Sequence, residues 1–198
     1  TVSSNATVQL DDDALAGGNV GGIGDDADGV NVSGTLAHSF GADGGAIAFQ
    51  TSGAPAGFSY QLNGTGLLVL QGAIPVLSVT LNPLTGAYSV SQLAPIAHAA
   101  GLDENNITFT LSYVVTDGDQ DTATGTLTID VDDDTPTVSS NATVQLDDDA
   151  LTGGNVGGIG DDADGVNVSG TLAHSFGADG GAIAFQTTGA PAGFSYQL

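Results

Sequence analysis

The chain contains no lysine and no arginine, although it carries 23 acidic residues and a formal net charge of −23. No carboxylate can therefore pair with an ammonium or guanidinium group of the same chain. Recognition of nucleic acid needs lysine and arginine on the phosphates, and anionic lipid surfaces attract basic segments. The composition therefore excludes both nucleic acid and anionic lipid surfaces as partners.

Cysteine is also absent, so no disulfide framework can substitute for a hydrophobic core. In a secreted protein, metal ions are the remaining means of cross-linking a weak core. No apolar run reaches transmembrane length, which argues against direct membrane insertion. Hydrophobic residues nevertheless make up 40% of the chain, more than a disordered acidic segment contains, so we expect the chain to fold.

A long internal repeat organises the sequence. Residues 1–62 recur at 137–198 with 60 identities in 62 positions, which sets the period at 136 residues. A repeat of this length is a whole domain rather than one turn of a solenoid. We expect a complete domain over residues 1–134, followed by a linker and the first part of a second, near-identical domain over residues 135–198.

A second register stays open, because residues 63–198 also add up to one period. The first register is favoured by residues 132–136 (DDDTP), which have the composition of a linker. Proline biases the residue before it towards an extended conformation.

Strand patterns dominate the repeat. Glycine is abundant, and segments such as ITFTLSYVV (107–115) and TGTLTIDV (124–131) alternate apolar and polar residues with a period of two. We count about eight or nine such strands per repeat, separated by turns. The expected fold is all-β: antiparallel β-sandwich repeats of immunoglobulin-like or cadherin-like type, in tandem. One helical turn is expected within residues 94–106.

Acidic residues recur in short clusters that suit a hard cation. Asp117, Asp119 and Asp121 alternate with other residues, so a looped backbone can turn their carboxylates inward, as a calcium ion with six to eight oxygen ligands requires. The run at 132–134 follows the last strand, and we expect both clusters at one end of the domain. The candidate calcium ligands are Asp117, Asp119, Asp121, Asp132, Asp133, Asp134, Asp11, Asp12, Asp13, Asp25, Asp26, Asp28, Asp147, Asp148, Asp149, Asp161, Asp162 and Asp164. The acidic residues of one repeat allow roughly three to five calcium ions at about three carboxylates each.

Other chemistries are weaker candidates. The 117–121 cluster is not an EF-hand, because Thr122 and Thr128 stand where that loop needs glycine and glutamate. His38 and His98 have no histidine or cysteine near them in sequence, so we interpret them as ordinary polar residues rather than zinc ligands. No nucleophile motif accompanies the serines, and we do not expect an enzyme.

Three segments carry a resemblance to a known class: GTLAHSFGADGGAIAF, GGIGDDADG and VVTDGDQDTATGTLTIDVDDDTP. They resemble the long, near-identical repeats of giant bacterial RTX adhesins exported by type I secretion. The resemblance implies calcium-stiffened extender domains at the cell surface, outside the cell, that serve adhesion and biofilm formation. It implies adjacent repeats of the same chain as partners, and neighbouring chains if a fibre forms. The alternative is a calcium-dependent glycan- or protein-binding module used multivalently.

Overall fold

The computed structural model describes residues 2–101 and 103–198, and these residues are almost entirely strand, turn and loop. Ten strands belong to the first copy of the repeat. They are β1 Val8–Asp11, β2 Gly29–Val30, β3 Ser33–Thr35, β4 Gly45–Phe49, β5 Phe58–Asn63, β6 Gly66–Gln71, β7 Ile74–Leu81, β8 Ala87–Gln92, β9 Ile107–Asp117 and β10 Thr122–Asp132. Four two-residue strands follow: β11 Thr137–Val138, β12 Gln145–Leu146, β13 Gly165–Val166 and β14 His174–Ser175.

The ten strands form two five-stranded sheets, ordered β2-β1-β10-β9-β4 and β3-β8-β7-β6-β5. Buried residues from both sheets make one hydrophobic cluster. Every second residue of β9 from Phe109 to Val115 is buried, as are Leu127, Ile129 and Val131 of β10. Burying each such side chain contributes about 1.5–3 kcal/mol. The expected all-β sandwich is confirmed.

One pairing departs from the expected antiparallel arrangement. β1 runs parallel to β10, with Val8 opposite Ile129 and Asp11 opposite Asp132. Parallel neighbours need a long connection between them, and here nearly the whole repeat supplies it. Because both strands point the same way, they end at the same edge of the sandwich, with an acidic run following each.

Residues 29–35 are divided between the two sheets. Gly29–Val30 pairs with β1, whereas Ser33–Thr35 pairs with β8 in the other sheet. Asn31 makes the change of direction at a φ of 55°, a left-handed conformation that asparagine tolerates better than most residues.

The prediction of a helical turn within residues 94–106 is wrong. The described residues of that segment, which do not include Leu102, form no helix. The short helical turns are instead 3-10 turns at Asp12–Ala14 and Asp148–Ala150. Asp11 caps the first of them, because its Oδ1 accepts the backbone N–H of Asp13 at 2.9 Å. Aspartate competes well for such local hydrogen bonds, so an acidic run favours this turn over a continued strand.

The chain divides into two compact units: Thr1–Thr135 with Phe176–Leu198, and Pro136–Ser175. The second unit contains two short ladders, β11 with β14 and β12 with β13. In the described residues of the first unit, no strand is formed beyond position 175. Phe185 is accordingly 72% exposed, whereas Phe49, its counterpart in β4, is 4% exposed because it packs beside β9.

No helix among the described residues is long and apolar enough to cross a membrane.

Candidate metal centre

The acidic runs converge where β1 and β10 end. Asp11 and Asp132 are directly opposite each other in the parallel pair, and the 3-10 turn Asp12–Ala14 continues from β1. The parallel register therefore places the two runs side by side, although more than a hundred residues separate them in sequence.

Six carboxylates are buried at this edge, which we call the acidic edge. They are Asp11 (0% exposed), Asp12 (0%), Asp13 (4%), Glu104 (7%), Asp132 (0%) and Asp134 (7%). Four of their oxygens are buried without a hydrogen-bond partner: Asp11 Oδ2, Asp13 Oδ1, Glu104 Oε2 and Asp132 Oδ1. An ionised carboxylate taken out of water without a partner is strongly destabilising. Since the chain has no lysine or arginine, the compensating charge has to come from solution.

The loss of solvation raises the pKa of several carboxyl groups at the acidic edge. Burial and, to a smaller extent, the charges of Asp13 and Asp132 together raise the pKa of Asp11 to about 8. Burial likewise raises the pKa of Asp12 to about 7, and it raises the pKa of Asp13 and of Asp132. The acidic edge therefore resists full ionisation unless a cation neutralises it.

The first ligand group consists of Asp11, Asp13 and Asp25. One carboxylate oxygen from each lies within 4.8 Å of the other two. Two oxygens on opposite sides of one calcium ion are separated by about 4.8 Å, twice a bond of about 2.4 Å. The three carboxylates are therefore close enough to share one calcium ion.

The glycine-rich loop between Asp13 and β2 brings Asp25 into this group. The backbone N–H of Asp26 donates to Asp132 Oδ2 at 2.9 Å, and that of Gly21 donates to Asp13 Oδ2 at 3.4 Å. These bonds hold the loop over the ends of the two strands. The carboxylate of Asp26 accepts a hydrogen bond from Asn106 Nδ2 at 2.9 Å. Asp28 is exposed, and its negative charge contributes to raising the pKa of Asp13.

Glu104 is a buried member of the acidic edge that the sequence analysis did not predict. Its Oε1 accepts from Thr135 Oγ1 at 3.0 Å. Burial raises its pKa, and the charges of Asp132, Asp134 and Asp25 add to the effect. Gly22 passes so close that a Cβ there would overlap the Glu104 carboxylate. Its position in the sequence was a possible indication of a special role, because Glu104 is the sole glutamate among the acidic residues of the chain.

The second ligand group consists of Asp12, His98 and Asp133, whose ligand atoms also lie within 4.8 Å of one another. The His98 side chain is 2% exposed, and its Nε2 lies 3.8 Å from Asp12 Oδ2. The interpretation of His98 as an ordinary polar residue did not foresee this burial beside two carboxylates.

Asp134 joins two distant segments without belonging to either ligand group. Its carboxylate accepts the backbone N–H of Asn19 at 3.2 Å and that of Ala178 at 2.6 Å. Ala178 belongs to the second copy of the repeat, so the linker carboxylate is bonded to backbone from both copies.

Asp117, Asp119 and Asp121 do come together within 4.8 Å, but the expectation that they share an edge with residues 132–134 is wrong. They form the turn of the β9–β10 hairpin, whose strands have 11 residues each. That length separates the turn from the acidic edge by about 33 Å. The turn is solvated, and Asp121 N–H closes it by donating to Asp117 Oδ1 at 2.8 Å.

In the second copy, Asp147, Asp149 and Asp161 also meet within 4.8 Å. They are the counterparts of the first ligand group, so the local loop sequence suffices to gather these three carboxylates. The other predicted ligands of the second copy, Asp148, Asp162 and Asp164, are exposed.

Replacement of Gly18 by alanine tests the loop geometry. A Cβ at Gly18 would overlap the backbone of Asp13, so Gly18→Ala should displace the turn and destabilise the domain by about 1–3 kcal/mol. Thermal unfolding with and without Ca²⁺ measures this. Gly170→Ala is the matched control, because nothing lies within 4 Å of a Cβ there. Equal melting of the two variants would contradict the role given to Gly18.

The fold and the acidic edge define a class of protein: an all-β sandwich domain with buried, uncompensated carboxylates at one edge. Residues 7–131 match the family described as Domain of unknown function (DUF5801). The chain belongs to this family, and the matched residues extend from the start of β1 almost to the end of β10. No curated protein and no solved structure matches the chain.

Proposed function

We propose that the chain is a calcium-stabilised spacer repeat of a large extracellular adhesin or surface fibre, which holds distal ligand-binding domains away from the cell. The observation that supports this most is the burial of six carboxylates in a chain without lysine or arginine. Calcium takes all-oxygen ligand sets of this kind. The proposed ligands are Asp11, Asp13 and Asp25, with Glu104 and Asp132 beside them.

The mechanism is coupled binding and folding. Without calcium, the carboxylates of the acidic edge repel one another and lack solvation, so the folded state is weak. A cation that binds only the folded state adds RT ln(1 + [L]/Kd) to its stability. Such a chain unfolds readily where calcium is scarce, as during type I export, and is stably folded outside the cell where calcium is plentiful.

The spacer role is supported by the near-identity of the two copies. Each copy of a spacer has the same task, which is to add length, so identical copies serve it without loss. The partners of one repeat would be the adjacent repeats, joined through the linker at residues 132–136 and its carboxylate Asp134.

Chains with increasing numbers of the 136-residue repeat test this function by small-angle scattering. In Ca²⁺, each added repeat should extend the maximum dimension by a constant increment of about 40 Å, the scale of its longest strands plus a linker. In EDTA, the increments should shrink and become irregular. A maximum dimension that does not change with Ca²⁺ would contradict the spacer proposal, and the multivalent binding module would then explain the data better.

Asp134→Ala tests the linker. This change removes the acceptor of the Asn19 and Ala178 N–H groups, and bonds to a charged acceptor contribute about 1.5–3 kcal/mol each. We expect a tandem chain to become more flexible at the joint, seen as a broader pair-distance distribution, and the first domain, which loses the Asn19 bond, to melt a few degrees lower in Ca²⁺. Asp43→Ala, which removes an exposed carboxylate, is the matched control. An unchanged distribution for Asp134→Ala would mean that the joint is held by other contacts.

A further inference from the structure

The second ligand group differs from the rest of the acidic edge because it contains a nitrogen donor. Asp12, His98 and Asp133 bring two carboxylates and one imidazole within 4.8 Å. The side chains of His98 and Asp12 are 2% and 0% exposed. A cluster of acids alone would not point to a ligand of its own, but the buried histidine provides an independent observation.

Neither ring nitrogen of His98 has a hydrogen-bond partner. A neutral imidazole has one N–H donor and one acceptor nitrogen, and a protonated one has two donors. Leaving such groups buried and unpaired destabilises the folded state. In either protonation state, therefore, the arrangement is incomplete without something that binds the ring.

The spacing fits a shared ion better than a direct bond. Nε2 of His98 lies 3.8 Å from Asp12 Oδ2, which is beyond the range of a hydrogen bond. Two ligands of a tetrahedral ion with bonds of about 2.1 Å are separated by about 3.4 Å. A shift of a few tenths of an ångström would bring both atoms to this separation.

We propose that Asp12, His98 and Asp133 form a second metal site, separate from the calcium ligands, that binds a divalent transition ion of the zinc class. Calcium prefers oxygen ligands throughout, whereas imidazole suits zinc, copper, nickel and iron. One histidine with two carboxylates provides three protein ligands, and a four-coordinate ion then keeps one position for water.

The site is organised before any ion arrives. Gln92 Nε2 donates to Asp12 Oδ1, and the backbone N–H of Ile96 donates to Asp12 Oδ2 at 2.7 Å. Ile96 is itself fully buried in the core, so the segment that carries His98 is fixed two residues away. Outer partners that orient a ligand in this way typically change metal affinity about 10–100-fold.

The site would link two parts of the repeat that share no strand pairing. Asp12 begins the 3-10 turn after β1, and Asp133 follows β10, whereas His98 belongs to the irregular segment between β8 and β9. An ion there closes that segment over the acidic edge. This inference does not depend on the calcium proposal, because its ligands and its preferred metal are different.

Titration of the full chain with Zn²⁺, in excess Ca²⁺, provides the test. One equivalent of Zn²⁺ should shift the ring ¹⁵N resonances of His98 in the wild-type protein and leave those of His38 and His174 in place. His38 Nδ1 already contacts Leu36 O at 2.7 Å, so it serves as the internal control. Co²⁺ in place of Zn²⁺ should produce the intense visible absorption of a four-coordinate site.

His98→Gln should weaken Zn²⁺ binding by about 100-fold or more, whereas His38→Gln should bind as the wild type does. Asp133→Asn, at a half-buried position, removes a ligand without emptying the core and should also weaken binding. The wild-type resonances decide the matter even if a variant fails to fold. Unmoved His98 resonances at several equivalents of Zn²⁺, or equal shifts at all three histidines, would overturn the site. Success or failure of calcium stabilisation leaves this outcome unaffected.

Discussion

Millimolar Ca²⁺ should raise the melting temperature of the EDTA-treated protein by about 10 °C for each ion bound, far more than NaCl of equal ionic strength. A ligand at one hundred times its Kd adds about 2.7 kcal/mol to the folded state. For a domain of this size, 1 kcal/mol corresponds to about 4 °C. The effect should be large because the ion neutralises carboxylates that are already buried, with Asp11 and Asp132 both fully inaccessible.

Asp11→Asn sharpens this experiment, because its effect should change sign with the metal. In EDTA the variant lacks a buried carboxyl group whose ionisation opposes folding, and it should melt higher than the wild type. In Ca²⁺ it lacks a ligand and should melt lower. Asp43→Asn makes the same change of charge at an exposed position and should follow the wild type in both conditions. Indistinguishable melting curves in Ca²⁺ and in matched NaCl would refute specific binding at the acidic edge.

Acidification should stabilise the calcium-free protein. The folded-state pKa of Asp11 is raised to about 8 and that of Asp12 to about 7, from 3.8. Between the unfolded-state pKa of 3.8 and these raised values, the folded state binds more protons than the unfolded state, so the stability of the folded state falls as the pH rises. The stabilisation is complete below about pH 4 and is lost as the pH passes through about 7 to 8. In EDTA, the melting temperature should therefore increase as the pH is lowered from about 8 to about 5.

Calcium should reverse this dependence, because protons compete with the ion for the same carboxylates. The groups that face Asp11 are Asp13 and Asp132, and those that face Asp12 are Asp133, Asp179 and the His98 ring. Melting temperatures recorded across this pH range with EDTA and with Ca²⁺ should converge at the acidic end. A calcium-free protein that loses stability steadily on acidification would show that these carboxylates are ionised when folded.

The strands were predictable because their signal is local. ITFTLSYVV alternates apolar and polar residues, and β9 buries the predicted side chains, from Phe109 to Val115. Two inward faces of this kind must pack together, which gives the sandwich. The parallel pairing of β1 with β10 carries no local signal, since it depends on strands at the two ends of the repeat.

That pairing decides which acidic residues meet. The sequence identified Asp11 and Asp132 as candidate ligands, but the 132–134 run was expected at the same end of the domain as the 117–121 turn. Spacing alone does not reveal at which edge of a sheet a turn lies. Glu104 and His98 were missed for a different reason. Both lie in the irregular segment 94–106, which has no periodicity that would predict which side chains point inward.

The position that β1 occupies beside β10, which we call the β1 slot, has a consequence for the way a tandem array folds. In β1, Val8 pairs with Ile129, 121 residues away. The second copy contains the same VQLD sequence from Val144, only 15 residues after Ile129. Closing the shorter loop costs about 2 kcal/mol less free energy, so loop closure alone favours the nearer copy.

Identical neighbouring domains are prone to such exchange of elements. Because both copies of the strand have the same side chains, either one can fill the slot with the same packing against the core. An array of these repeats can thus pass strands from each copy to the one before it without any change in side-chain contacts.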